Sequence, residues 1–295
     1  MQRLKGFDQY INEGLTTVFH LGDSGEEVHA LQTGLRKLGY KLGDPQTDGK
    51  FGPETLSTAQ AAQVQISKID GKPPISFPFT NALSGAAVNS IEGALANEET
   101  VQTISKEVNE MMNGIGKSGL AFKERLVRLP DVEGFVDKLK IVSKNLNIEP
   151  NWLLTVMYKE SRINPYAVNK ISGASGLIQF MDKTAQGLGY NINDIREMSA
   201  AGQLDVVEKY LKGGAYHNLF DLYLKVFYPV AIGKADDFVI GSERSSEWTA
   251  KVANQNPAIS KGKSYITVAD FKEYAFGNID DENLAVIKKT ASNIA

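Results

Sequence analysis

From Asp131 onward, apolar residues recur at helical spacing and hardly ever at alternate positions. Phe135, Leu139, Val142 and Leu146 follow at intervals of four, three and four, which places them on one face of a helix. The segment NIEPN (147–151) breaks that pattern, with Pro150 set for a new helix start. The next helix carries Leu153, Val156 and Met157 and then, on the same stripe, Glu160. Asn164-Pro165 stops it. Further helices are expected over 182–188, 203–212 and 219–232, and only short pieces such as DFVIG and SYITV have strand character. A chain patterned in this way is mainly α.

Its 295 residues leave room for two or three domains. A formal net charge of −3 argues against a protein held to nucleic acid or to an anionic membrane by bulk electrostatics. There is no cysteine, which excludes disulfides and thiolate metal sites. His20, His29 and His217 lack the spacing of a zinc site, and His20 and His29 read as surface or packing residues. No apolar run approaches the length of a membrane span, and the start MQRLKGFDQYINEG has no signal-peptide core. The expectation is a monomer made in a cytoplasm, without a leader of its own, without a cofactor and without a metal.

Three regions follow from the patterning: 1–75, 76–130 and 131–295. In the first, Asp23 or Ser24 can cap a helix bearing Val28, Leu31, Leu35 and Leu38, and Gly39 ends it. The loop GDPQTDGKFGPET leads to a second helix from Thr55. Residues 76–85 (SFPFTNALSG) read as a linker. From 86 to 128 the chain is helical in tendency, with a stripe through Val101, Ile104, Val108 and Met111, and glycines at 114, 116 and 119 expected to break it. That middle stretch reads as packing or spacer.

Glu160 admits two readings. On the apolar face, loss of water disfavours its charged form and raises its pKa, which suits a general acid for a glycosidic oxygen. At an exposed helix edge it would simply pair with Arg162 or Lys159. The loop GASGLIQFM downstream favours the first. Gly173 and Gly176 bracket Ser175 and permit close backbone approach to a ligand, and the amide of Gln179 suits sugar hydroxyl and acetamido groups.

Glu160-Ser161, Asn164-Pro165 and the run Gly173 to Gln179 resemble the Glu-Ser…Gly-x-x-Gly-Leu-Met-Gln signature of soluble-lytic-transglycosylase-type enzymes, which share the lysozyme-like fold. The segment from Asp221-Leu222-Tyr223 through Tyr228-Pro229 to Lys234 resembles transglycosylase-like domains of phage proteins. The resemblance covers roughly 131–275. It implies Glu160 as catalytic acid and base, with Ser161, Ser175, Gln179, Tyr223, Tyr228 and Asn256 as substrate contacts. Asn254 to Pro257 matches the family's late tyrosine-asparagine motif only in part, with Ala253 where an aromatic is expected, so Tyr223, Tyr228 and Tyr265 are the alternatives to consider for that contact. ISKGKSYITVAD is similar to a calcium loop, but Ile259, Lys261 and Lys263 occupy ligand positions, so no calcium is expected.

The N-terminal region is similar to the small three-helix peptidoglycan-binding domain from about 20 to 73, through Gly22, Gly25, Val28, Leu31-Gln32, Leu35, Leu38-Gly39-Tyr40, Asp48-Gly49, Phe51-Gly52 and Thr55. Its departure is Ala61-Ala62-Gln63, where the family has a large aromatic. The order of modules resembles endolysins of phages with Gram-negative hosts, and a virion-associated enzyme is the neighbouring reading. The substrate implied is bacterial peptidoglycan, and the enzyme reading outweighs that of a wall-binding structural protein because the acid is present. Hydrolysis as a muramidase needs a second carboxylate. Asp182, Asp194 and Glu197 have no spacing that places them, so an intramolecular lytic transglycosylase reaction is favoured.

Overall fold

The computed structural model describes residues 18–43, 47–72 and 82–291. The N-terminal stretch MQRLKGFDQYINEG and most of the expected linker, 76–81, lie outside the described residues. The described chain is mainly helical, as the apolar spacing requires.

The first unit pairs β1 (Phe19–His20) with β2 (Ala82–Leu83) in antiparallel register and packs α1 (Glu26–Lys37), α2 (Pro53–Ile69) and α3 (Gly85–Leu95) together. Helix α1 starts one residue later than a cap at Ser24, and two later than a cap at Asp23, would place it. Gly25 is its cap, and the Asp23 carboxylate instead accepts the His20 amide at 2.7 Å. The loop of the glycine-rich motif is tied by one buried amide. Gln32 Nε2 donates to Asp48 Oδ1 at 2.9 Å and to the Lys50 carbonyl at 3.1 Å, while its Oε1 accepts the Gly49 amide at 2.9 Å. The Phe19 and Phe51 rings stack at 5.4 Å beside it. Ala61 and Ala62 are buried on α2, which packs against α3. His20 and His29 are exposed.

Helix α4 (Glu98–Lys117) runs straight through Gly114 and Gly116 and ends only before Gly119, whose φ is +77°. Each interior glycine costs about 1 kcal/mol of helix propensity, and the burial of Met112 and Ile115 on the same turns outweighs it. The chain from Gly119 to Leu129, with α5 (Lys123–Leu126), buries Leu120, Phe122, Leu126 and Leu129 in the core. Asn151 holds it by accepting the Ala121 amide at 2.9 Å and donating to the Gly119 carbonyl at 2.8 Å. The Phe122 ring stacks on Tyr158 at 4.2 Å.

In the third region α7 (Pro150–Ser161) is the central element. Residues 151–157 are buried on every side, so this helix has no solvent stripe. Around it lie α6 (Val132–Leu146), then α8 (Asp182–Gly187), α9 (Ile192–Glu197) and α10 (Ala200–Leu211), the last packed on α6. Next come α11 (Leu219–Phe227), α12 (Ser246–Gln255), α13 (Pro257–Ser260), α14 (Val268–Phe276) and α15 (Asp281–Ala291). Helices α6, α11, α14 and α15 all contact α7. The expected 219–232 helix stops at Phe227, because Pro229 follows and starts a separate short turn. The two strand-like pieces do meet: Ile240 donates to Ile266 and Val268 to Phe238, forming one bridge, Val239 to Thr267. Lys261 and Lys263 are ion-paired, Lys261 with Glu273 and Lys263 with Asp270.

Candidate active site

The central helix ends abruptly. Arg162 and Ile163 both adopt φ of +60°, and Pro165 follows. This reversal leaves Glu160 in the last turn, on the side where Leu153, Val156 and Met157 are buried. The carboxyl is itself partly buried. Burial raises it from an ordinary 4.5 to about 7, with a hydrogen bond from Tyr223 and the charge of Lys159 pulling the other way. Loss of hydration therefore outweighs both favourable partners.

Tyr223, at 2% exposure on α11, gives that hydrogen bond, and its hydroxyl shares a second one with Tyr274 on α14. Burial and then the Glu160 charge hold Tyr223 well above its ordinary range, so it stays a neutral donor. Lys159 does not pair with Glu160 at a helix edge. Its Nζ donates to the carbonyls of Tyr274 at 2.6 Å and Gly277 at 2.8 Å and lies 3.8 Å from the centre of the Tyr274 ring. Burial, then the charge of Arg162, lowers Lys159 to about 8. Among the described residues, the groups acting on Glu160 are Tyr223 and Lys159, and no second carboxylate is among them. Asp182, Asp194 and Glu197 are exposed, Asp182 being bonded to Gln186 at 2.9 Å.

The glycine loop is fastened to α7 through Ser161 and to α9 through Arg196. Ser161 Oγ donates to the Leu177 carbonyl at 2.8 Å and to Met157 at 3.0 Å, and accepts the Asn164 amide at 3.2 Å. Ser175, fully buried, donates to the Gly173 carbonyl at 2.8 Å and accepts Arg196 Nε at 2.9 Å. The two hydroxyls thus hold the loop in place. Gln179, half-buried with φ of +55°, turns Nε2 back to the carbonyls of Gly176 at 3.1 Å and Ala167 at 3.3 Å.

Beneath the loop lies a residue that its spacing did not reveal. Gln203 on α10 is completely buried, accepts the Leu177 amide at 2.8 Å and donates to the carbonyls of Pro165 at 2.8 Å and Ile195 at 2.9 Å. Gly176, at φ of +79°, passes so close that a Cβ there would sit 2.4 Å from the Gln203 oxygen. No local pattern announces Gln203 or Tyr274, and the sequence suggests Lys159 only as an ion-pair partner of Glu160 at a helix edge. Each acquires its role only when distant segments meet.

Tyr228 and Asn256 make their contacts elsewhere. The Tyr228 hydroxyl donates to Glu243 and accepts Trp248 Nε1 at 3.2 Å, with Arg244 stacked 4.4 Å from the Trp248 ring. Asn256 closes α12 and donates to the Val252 carbonyl at 2.9 Å. Tyr265 is exposed at 42%. Among the described residues no cluster of histidine and carboxylate side chains is arranged to hold a metal ion, and no helix is long and apolar enough to cross a membrane.

Residues 139–217 are similar to the family described as Transglycosylase SLT domain. No curated protein matches the chain. The matched segment contains Glu160, Ser161, the loop from Gly173 to Gln179 and Gln203, and it supports a lytic-transglycosylase, lysozyme-like catalytic domain whose substrate is peptidoglycan.

Proposed function

We propose that the protein cleaves the β-1,4 bond between N-acetylmuramic acid and N-acetylglucosamine, with Glu160 as the single acid and base and 1,6-anhydromuramic ends as product. The observation that carries this reading is one desolvated carboxyl, at about 7, whose acting neighbours are a tyrosine and a lysine. Protonated, Glu160 delivers its proton to the glycosidic oxygen as the bond to C1 breaks. The resulting carboxylate, steadied by the Tyr223 hydroxyl, then takes the proton of the C6 hydroxyl as that oxygen bonds to C1. Proton and bond counts close without water. The C6 hydroxyl is already tethered to the reacting sugar, an advantage over bulk water that reaches about 7–11 kcal/mol in favourable intramolecular cases.

Gln179, Tyr228 and Asn256 are the proposed sugar contacts. Ser161 and Ser175 hold the loop that carries Gln179. The unit through α3 is proposed to bind the wall polymer, and its Gln32-centred loop, built from the residues of the motif, supports that reading. A wall-binding unit ahead of a glycan-cleaving one suits an endolysin-type role in host lysis. The test is Glu160→Gln against suspended wall. Clearance should fall by at least about 10²–10⁴-fold, and a variant that clears at the wild-type rate would make Glu160 a structural residue.

A further inference from the structure

The loop that follows Glu160 has two halves, and they are held differently. The second, 176–180, is buried apart from half-buried Gln179, and Ser161 and Gln203 fix it from outside through the Leu177 carbonyl and amide. The first has no such support from packing. Residues 168–172 are exposed, and Ile171 at the tip is 99% exposed.

Hydrogen bonds within the first half shape its turn. Asn169 Oδ1 accepts the Ile171 amide at 2.9 Å and the Ser172 amide at 3.0 Å, and the Gly173 amide donates to the Asn169 carbonyl at 2.8 Å. None of these ties the turn to the rest of the molecule. Arg196 on α9 does. Its Nη2 donates to the Gly173 carbonyl at 3.1 Å and its Nε to Ser175 Oγ at 2.9 Å, while Asn193 Oδ1 steadies Nη1 at 3.0 Å. Among the described residues, the side-chain bonds that reach 169–175 from outside the loop are those of Arg196.

The base of that fork is itself fixed to the second half. Gln203, which accepts the Leu177 amide, also donates to the carbonyl of Ile195, a fully buried residue next to Arg196. One helix end thus joins both halves of the loop. The chemistry asks for arginine in particular: two donors of one planar group meet two acceptors at once, which the single ammonium of a lysine does not reproduce. At the far end of the loop Gln179 holds a φ of +55°, a conformation that a residue with a side chain keeps only where its surroundings fix it.

The geometry points to Arg196 as a positioning residue that clamps the exposed half of the loop to α9 and so sets how tightly the loop holds the glycan. The inference rests on the proposed reading of Gln179 as a sugar contact. The groups acting on Glu160 are Tyr223 and Lys159, not Arg196. Loss of the clamp therefore weakens binding and leaves the acid as it is.

The experiment measures kcat and KM on short soluble wall glycans for the full-length wild type, Arg196→Lys and Arg196→Ala. A hydrogen bond from a charged donor is worth about tenfold or more, so Arg196→Lys should raise KM by about that factor with kcat and the pH–rate profile unchanged. Guanidinium ion, added to Arg196→Ala well below the concentration that unfolds the chain, should recover part of the loss. An unchanged KM in both variants overturns the proposal, as does a fall in kcat with a shifted pH limb, which would make Arg196 act on Glu160. Hydrogen exchange gives a reading that needs no turnover. The Gly173 and Ser175 amides, bonded within the loop, should exchange faster in Arg196→Lys while those of α7 do not; acceleration across the whole chain would mean general destabilisation and overturn it. If the wild type cleaves no glycan, the proposed reaction falls alone, and the same glycan is titrated calorimetrically into Glu160→Gln with and without Arg196→Lys. Weaker binding in the double variant supports the clamp, and equal binding sinks it.

Discussion

Replacing Glu160 by glutamine removes the acid and, by the same physics, stabilises the folded chain at alkaline pH. Burial is the main cause that sets this carboxyl at about 7 instead of 4.5. Below 4.5, folded and unfolded chains both hold the proton and the residue is neutral to stability. Between 4.5 and 7 the unfolded chain releases its proton first, so stability falls as pH rises. Above 7 both are ionised and the whole loss persists, about 3 kcal/mol at ~1.36 kcal/mol per pH unit. Glutamine keeps the shape, still accepts the Tyr223 hydroxyl and carries no charge to desolvate. Thermal unfolding followed by circular dichroism at about pH 4.5 and pH 8.5 reads the difference. The variant should melt roughly 6–10 °C above the wild type at the higher pH and close to it at the lower. A gap that does not change with pH would refute the desolvation argument, and with it the physical basis for Glu160 as an acid at neutral pH.

Three other variants probe the surroundings. Tyr223→Phe removes the donor that steadies the Glu160 carboxylate, so kcat should fall roughly ten- to a hundredfold, as for one hydrogen bond to a charge, and the alkaline limb of the pH–rate profile should move up; an unchanged profile would remove Tyr223 from the site. Lys159→Met takes away the positive charge that lowers Glu160 and the clamp on the Tyr274 and Gly277 carbonyls. Its alkaline limb should likewise move to higher pH, and a downward move would contradict the sign of that interaction. Gly176→Ala drives a Cβ into Gln203 from a left-handed backbone and should cost about 2–4 kcal/mol in denaturant unfolding, whereas a loss below about 0.5 kcal/mol would mean the loop gives way freely.

What could be read ahead of the structure depended on whether the signal was local. Helical spacing put Glu160 in line with Leu153, Val156 and Met157, which are buried, but the burial of the whole run 151–157 was not legible in that spacing. Tyr223 was legible through its neighbours in the chain, as one of several tyrosines. The partners that complete the site were not. Tyr274 and Lys159 lie 115 positions apart and meet through a backbone carbonyl, which leaves no trace in either side chain's sequence surroundings. Gln203 sits on a helix like any polar residue, and only the close approach of Gly176 turns it into the loop's anchor. The same holds for Gly114 and Gly116, whose helix-breaking tendency is overruled by the packing of Met112 and Ile115. Propensity is a local quantity, and these outcomes were settled by contacts across the chain.

Mass spectrometry of the soluble products from digested wall tests the single-carboxylate chemistry most directly. Muramic ends lighter by one water than hydrolytic products, and resistant to borohydride reduction, are the predicted result, because no carboxylate is among the groups that shift Glu160. Predominantly reducible muramic ends would contradict it. Water would then be the nucleophile, and Glu160 would require a partner carboxylate or a water-positioning group at the reacting carbon.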